Sequence, residues 1–170
     1  MKKDRNIKIL VIVLLVAVSI LVYYFVIPQI ILLPKISTSG FVPVTVDVQL
    51  VNDGGIITLT DNCSQIQATV ETSQAVSIYN GMDKNIGPRP NSHDLFRDML
   101  NALNVKILMV KITEMRDDMY FSKIVMRKDN TLLNLDARPS DAIAIVTRVP
   151  YDVPIYINET LFKEQAKKVC

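Results

Sequence analysis

The chain has 170 residues, enough for about one domain, and 49% of them are hydrophobic. The chain has 19 basic and 17 acidic side chains, of which the first 35 residues hold five basic and one acidic. The remaining residues therefore hold 14 basic and 16 acidic side chains, a net charge of −2. This balance excludes the globally basic surface of a non-specific nucleic-acid binder, so a site for a polyanion must be a local patch. One histidine and two cysteines, without a C-x-x-C spacing, exclude the common zinc sites.

The N-terminal segment carries an apolar run over residues 7–27, which reads IKILVIVLLVAVSILVYYFVI and contains one charged residue, Lys8. At ~1.5 Å rise per residue, a helix of this length crosses a hydrocarbon core of ~30 Å. A cleaved signal peptide is the alternative, but its apolar region usually has ~7–15 residues and ends at small residues, whereas bulky residues follow this run. The sequence therefore predicts an uncleaved transmembrane helix over residues 7–27.

Positive charge flanks the predicted span on one side. Only Lys35 follows the span closely, whereas four basic residues precede or open it, namely Lys2, Lys3, Arg5 and Lys8. Because the positive side normally stays in the cytoplasm, we expect a single-pass membrane protein with a cytoplasmic tail over residues 1–6 and its domain outside the cytoplasm. Cys63 and Cys170 can be oxidised there, although two thiols far apart in the sequence do not by themselves predict a bridge.

A spacer over residues 28–43, which contains several prolines and serines, leads to a predicted domain over residues 44–170. Alternating apolar and polar residues predict strands, a 3.6-residue apolar period predicts helices, and Gly, Pro, Asn and Asp mark the turns. The predicted elements in chain order are strands over residues 44–51 and 56–60, a helix capped by Asp61 or Asn62 that runs to about residue 80, a helix over 92–103, strands over 105–115, 119–127 and 131–137, a helix over 140–148, a strand over 154–157 and a helical stretch over 159–168. Hairpins without regular βαβ alternation predict an α+β fold, with an antiparallel or mixed sheet and three to four helices behind the transmembrane helix.

Two predicted helix starts have similar sequences, RPNSHD at residues 89–94 and RPSD at residues 138–141. In each, Arg-Pro precedes a hydroxyl and a carboxylate at a helix N-terminus, where unpaired N–H groups and the positive end of the dipole attract anions. We therefore predict phosphate binding by the arginine and the serine of each start, which are Arg89, Arg138, Ser92 and Ser140. Helix capping alone also explains the serines and aspartates, but it explains neither the arginines nor the lone histidine.

Four residues near these helix starts are candidates for catalysis: His93, Asp94, Asp136 and Asp141. Histidine is the side-chain type that titrates near neutrality, so His93 suits a general base or a metal ligand, although a histidine in a first helical turn is often only a surface residue. Asp136 ends a strand and Asp141 opens the following helix, so the two carboxylates can meet and hold a divalent cation of unknown identity. The alternative is an ion pair between a carboxylate and Arg138.

The same residues carry a family resemblance. The segments PRPNSHDL (residues 88–95), LDARPSDAI (residues 135–143) and PIYI (residues 154–157) occur in an order, and with a meander between them, that resembles the bifunctional nuclease domain family. The resemblance extends over residues 44–161, nearly all of the predicted domain. The family's motif positions fall on Arg89, Pro90, His93, Asp94, Asp136, Arg138, Pro139, Ser140 and Asp141. The chain departs from the family at its front, because members usually have a third strand before the first helix, and the membrane anchor is an addition to the family plan.

The resemblance implies a nuclease that degrades both RNA and DNA with little sequence preference. Because DNA lacks the 2′-hydroxyl that many RNases use, such an enzyme must supply a water or a side-chain nucleophile. With one histidine, this points to water activated by His93 or by a metal on the aspartates, while the two arginines hold the phosphate in one shared cleft. The alternative is a non-catalytic membrane-tethered module that binds a phosphate-bearing ligand or a protein partner. Assembly into a homo-oligomer is left open.

Overall fold

The computed structural model of this chain describes residues 2–26, 36–85 and 87–170. The chain divides into two compact units, Met1–Lys35 and Ile36–Cys170. The second unit contains every residue that the sequence predicts to bind phosphate or to act in catalysis, so it is the unit that bears on function.

The first unit is helical in its described part. Helix α1 covers Lys2–Leu21 and is followed by a short π-helix over Val22–Val26. Among the described residues, no helix is both long enough and apolar enough to span a membrane, so the predicted transmembrane helix over residues 7–27 is not supported. The last residue of that predicted span, and residues 28–35 of the predicted spacer, lie outside the described part of the chain.

The described residues of the second unit form one mixed sheet and four helices. The strands are β1 (Phe41–Val51), β2 (Gly54–Asp61), β3 (Ser64–Val70), β4 (Lys106–Arg116), β5 (Met119–Lys128), β6 (Thr131–Ala137), β7 (Ile155–Asn158) and β8 (Lys167–Lys168). The helices are α2 (Thr72–Met82), α3 (Ser92–Ala102), α4 (Pro139–Val146) and α5 (Glu159–Gln165). The strand order is β6-β5-β4-β7-β1-β2-β3-β8, in which β4 and β7 are parallel and all other neighbours antiparallel. This arrangement confirms the predicted α+β class.

Strand β3 occupies the first half of the helix that the sequence predicted from Asp61 or Asn62. Asn62 has a φ of 49° in the turn after β2, a left-handed conformation that asparagine adopts more readily than most residues. The chain then turns back on itself, with Ser64 opposite Asp61, and α2 begins only at Thr72. The predicted helix start was therefore wrong. The expected departure from the family plan was wrong as well, because a third strand does precede the first helix of this unit.

The C-terminal end of the chain returns to the same turn. Helix α5 ends at Gln165, earlier than predicted, because Ala166 is already extended, and β8 pairs with the start of β3. Cys170 forms a disulfide with Cys63, with a Cα–Cα distance of 5.2 Å and a sequence separation of 107 residues. β1 begins at Phe41, so the last three residues of the predicted spacer belong to the sheet. The remaining predicted elements were confirmed with small shifts of their ends.

The buried core holds the helix starts in position. Helix α2 packs on β1 and β2, and α4 packs on β4 and β5 as well as on α2 and α3. α4 is buried along nearly its whole length, from Ala142 to Val146. Gly81 lets α2 lie close to the end of α4, because a Cβ at this position would come within 2.2 Å of Thr147 Oγ1. Tight packing of α2, α3 and α4 therefore fixes where their N-termini lie.

Candidate active site

Three helix starts line one cavity of about 500 Å³. The lining residues are Ser73, Gln74 and Ser77 of α2, Asn91, Ser92 and His93 at the start of α3, and Arg138 and Asp141 at the start of α4. The mechanism predicted from the sequence needs the two Arg-Pro helix starts to face a common cleft. His93 of the first start and Arg138 of the second line the same cavity, whereas Arg89 does not.

The backbone at this cavity is electropositive. An N-terminus of a helix carries unpaired N–H groups and about half a positive charge. Asn91 caps α3 by accepting hydrogen bonds from the N–H groups of His93 and Asp94, at 2.9 and 3.0 Å. No side-chain cap occupies the first turn of α2 or of α4. The cavity therefore offers an anion the positive ends of three helices, two of which have no side-chain cap.

His93, Asp141 and Arg138 are joined in the cavity. His93 Nε2 lies 3.4 Å from Asp141 Oδ1. Arg138 donates to both oxygens of the same carboxylate, from Nε at 2.7 Å and from Nη2 at 3.1 Å. Burial is the largest single influence on the Asp141 carboxyl and favours its neutral form, but the hydrogen bonds and charges of Arg138 and then of His93 together outweigh it and lower its pKa. Asp141 is therefore ionised throughout the neutral range.

Ser77 fixes the tautomer of His93. The Ser77 hydroxyl lies 2.9 Å from His93 Nδ1 and is within reach of two obligate donors, Arg148 Nη2 at 3.1 Å and Asn91 Nδ2 at 3.5 Å. These two donors use both lone pairs of the hydroxyl oxygen, so its single proton is directed to Nδ1 of the ring. Neutral His93 then carries its own proton on Nε2 and donates it toward Asp141. A general base needs an unprotonated nitrogen. The sequence hypothesis that His93 acts as a base through Nε2 therefore requires the other tautomer, with the proton on Nδ1.

A buried ion pair contacts two of the residues that line this cavity, Ser77 and Asn91. Arg148 Nε donates to Asp94 Oδ1 at 2.7 Å, and both side chains are almost completely buried. The other oxygen of Asp94 accepts from the backbone N–H of Asn91 at 2.9 Å and completes the capping box of α3. Burial is again the largest influence on Asp94, yet its hydrogen bonds with Asn91 and Arg148 and the charges of Arg148 and Arg97 lower its pKa. Both oxygens of Asp94 are thus engaged inside the fold.

The other predicted site residues lie apart from this network. Arg89 is exposed and does not line the cavity. Asp136 is exposed too, its Oδ1 lies 3.9 Å from Lys123 Nζ, and with Ser140 it lines a neighbouring cavity. Ser92 is exposed at the cavity edge. In the described part of the chain, no three His, Cys, Asp or Glu side chains are grouped as a metal site would require.

Sequence reasoning missed two residues that organise the site, Ser77 and Arg148. Ser77 is a buried polar residue on α2, beside the apolar Ala75 and Ile78, and Arg148 is a buried charged residue that follows the end of α4. A polar side chain on the buried face of a helix requires a hydrogen-bond partner and is therefore a usable signal. The partners themselves were not predictable, because Ser77 and His93 are brought together only by the packing of α2 and of α3 against α4.

Comparison with known proteins points to one family. A model of the bifunctional nuclease domain matches residues 56–169. An uncharacterized protein of Mycobacterium tuberculosis is 34% identical over 77 residues, which cover 45% of this chain and 44% of that protein. Bifunctional nuclease 1 of Oryza sativa subsp. japonica is 33% identical over 85 residues, or 48% of this chain and 25% of that protein. Bifunctional nuclease 2 of Arabidopsis thaliana is 29% identical over 84 residues, with the same two shares. The chain thus spans less than half the length of each of these relatives.

Proposed function

The chain belongs to the bifunctional nuclease domain family, and on that premise we propose that it hydrolyses phosphodiester bonds of both RNA and DNA with little sequence preference. The observation that carries the proposal is the convergence of three helix N-termini on a cavity that also holds His93, Arg138 and Asp141. The names of the plant relatives, which are bifunctional nucleases, support the same reaction class.

The first step is the binding of one phosphodiester group. Arg138 is two-thirds exposed, and although one edge of its guanidinium group pairs with Asp141, its Nη1 side has no hydrogen-bond partner among the described residues. We propose that this side and the uncapped first turns of α2 and α4 bind the non-bridging oxygens of the phosphate. Since none of these contacts involves a base or a 2′-hydroxyl, they would serve RNA and DNA equally.

The second step is the attack of water on phosphorus. We assign the base to Asp141, which is ionised and faces the cavity, so it can accept a proton from the attacking water. As the new P–O bond forms, the P–O bond to the leaving strand breaks, and the leaving alkoxide takes up a proton from solvent water. His93 keeps its proton on Nε2, which in this step turns from Asp141 to donate a hydrogen bond to the leaving oxygen, while Arg138 neutralises the negative charge that develops on the phosphate group. Ser77 is a positioning residue because it acts on the phosphate only through the orientation and tautomer of His93.

Asp94 and Asp136 receive different assignments from those first predicted for them. Asp94 has both oxygens committed to Arg148 and to the start of α3, so we propose that it stabilises the fold rather than acting on substrate. Asp136 does not join the His93–Asp141 pair, so a cation held jointly by Asp136 and Asp141 is not part of the proposed reaction. A requirement for a divalent cation stays open to direct test.

We also propose that the domain works outside the cytoplasm. The Cys63–Cys170 disulfide supports this location, because such bridges persist in oxidising compartments and are rare in the cytosol. Self-association into a homo-oligomer stays open.

The test is hydrolysis by the purified 170-residue chain. Labelled RNA and single-stranded DNA of the same sequence are incubated with the wild type and with His93→Ala and Arg138→Ala, each with and without EDTA. Arg127→Ala is the matched control, because it removes an exposed arginine on β5 that lines neither cavity. We expect a fall in rate of about 100-fold or more for both site variants and little change for the control.

The outcomes separate the two functional hypotheses. Hydrolysis of both substrates by the wild type, lost in both site variants, supports the nuclease. If the wild type binds the substrates but hydrolyses neither of them, the result supports instead the non-catalytic phosphate-binding module. Undiminished rates in both site variants exclude the proposed site.

A further inference from the structure

A second cavity, of about 510 Å³, adjoins the candidate active site. Gln74 and Arg138 line both cavities, so the two spaces meet at these side chains. The second cavity lies between the β2–β3 hairpin on one side and strands β4, β5 and β6 on the other, with α4 closing one end. The function proposed above uses no side chain of this space except that of Arg138.

The walls and the mouth of this cavity differ in chemistry. Its walls are mostly apolar and include Ile57, Ala68 and Ile112, together with the half-buried ring of Tyr120. The carboxylates among its lining residues, Asp118 and Asp136, are both exposed. Apolar walls with a few polar groups are typical of a site for a flat organic ring. The two negative charges disfavour a second phosphate but can accept hydrogen bonds from exocyclic amines of such a ring.

We propose that this cavity binds an unpaired nucleobase of the nucleic acid whose phosphodiester group occupies the first cavity. The inference rests on the proposed function and extends it, because it defines the substrate as single-stranded. A base can enter the cavity only after it has left its stack and its pairing partner. Contact with apolar and aromatic side chains is tolerant of base identity, which agrees with little sequence preference.

The position of the cavity favours a base over the side chain of another protein or a lipid chain. A nucleotide joins a charged phosphate and an uncharged ring, and here a cationic site and an apolar site share Gln74 and Arg138 as a common wall. A lipid chain would gain nothing from two carboxylates at the mouth. An uncharged protein side chain would gain nothing from the adjoining anion site.

The test compares the binding of two DNA strands of ten nucleotides each by the 170-residue chain. One strand carries bases, including one 2-aminopurine whose fluorescence reports its environment; the other has the same backbone but only abasic sites. Ala68→Leu fills the cavity from the β3 wall. Gln67→Leu is the matched control, since it adds the same side chain to an exposed neighbouring position that does not line the cavity. Cleavage is measured in the same samples.

We expect the wild type and Gln67→Leu to bind the base-bearing strand about tenfold more tightly than the abasic strand, with a change in 2-aminopurine fluorescence. Ala68→Leu should bind both strands equally, at the level of the abasic strand. A complementary strand that pairs all the bases should remove the preference in the wild type as well.

Equal affinity of the wild type for the two strands would overturn the inference, and this comparison decides it even if Ala68→Leu does not fold. A tenfold preference that Ala68→Leu retains would also overturn it. Cleavage of both strands at equal rates would support the nuclease and contradict the base site. A base-dependent affinity without cleavage would support the base site and contradict the nuclease.

Discussion

His93 Nε2 lies 3.4 Å from Asp141 Oδ1, although the two residues are 48 positions apart in the sequence. This contact joins the first turn of α3 to the first turn of α4, and Arg138 holds the carboxylate from the other side. An ionised carboxylate, a ring N–H and a guanidinium group thus line one cavity with three helix N-termini. The geometry suits binding and hydrolysis of a phosphodiester.

The tautomer of His93 is directly measurable, because it is the only histidine in the chain. We expect nitrogen-15 NMR of histidine-labelled, tag-free protein near pH 8 to show a protonated Nε2 and an unprotonated Nδ1. Ser77→Ala removes the hydroxyl that donates to Nδ1, so the proportion of the other tautomer should rise and kcat should fall more than KM changes. Ser77→Thr keeps a hydroxyl and should restore much of both. A protonated Nδ1 in the wild type would contradict the assignment of roles to Asp141 and His93.

The acid limb of the pH–rate profile should report Asp141. Its pKa is lowered in the folded protein, because Arg138 and His93 together outweigh the effect of burial. The base must be ionised, so activity is present above the ordinary carboxyl range and is lost only as the pH falls through the lowered pKa. Arg138→Ala leaves burial as the dominant influence, and the limb should move to higher pH. An acid limb that stays in place, with folding verified by circular dichroism, would contradict Asp141 as the base.

The Asp94–Arg148 pair should be needed for stability. Asp94→Ala leaves the Arg148 guanidinium buried without its partner, so the free energy of unfolding should fall by about 3–5 kcal/mol. Asp98→Ala on the same helix removes an exposed carboxylate that pairs with Arg97, and it should cost no more than about 1 kcal/mol. Urea denaturation of the two variants and the wild type measures both values. Equal small losses would show that the buried pair is not a main support of the fold.

The disulfide should contribute strongly to the stability of the domain. The bridge closes a loop of about a hundred residues, so replacing both cysteines by serine should lower the free energy of unfolding by about 4 kcal/mol. A reducing agent should lower the melting temperature of the wild type to about that of the serine variant, and it should leave the melting temperature of the serine variant unchanged. Two titratable thiols per chain in protein purified without a reducing agent would contradict the bridge.

The sequence was sufficient for most strands, because alternation and turn residues are local signals. It failed at residues 61–70, where Asp61-Asn62 was interpreted as a helix cap. The same residue types also suit a tight turn, and only pairing with β2 selects the second alternative. The alternation of Ile66, Ala68 and Val70 with polar residues in β3 was the available signal for a strand.

The site was predictable in part because helix starts, like strands, are marked by local signals in the sequence. The Arg-Pro starts marked His93, Arg138 and Asp141, since helix starts with unusual residues stand out in a sequence. That these residues meet, and that Ser77 and Arg148 complete their hydrogen bonds, depends on the packing of three helices. Arg89 shares the motif of Arg138 but not its place in the cavity, which shows that a repeated motif does not guarantee a shared position.

The central claim is that Asp141 acts on a phosphodiester group in this cavity, and the most direct test is the hydrolysis rate of Asp141→Asn on single-stranded DNA and RNA. Asp98→Asn is the matched control, because it makes the same change on an exposed carboxylate outside the cavity. Our account predicts a fall of about 100-fold or more on both substrates for Asp141→Asn and an unchanged rate for the control. A wild-type rate in Asp141→Asn would contradict it.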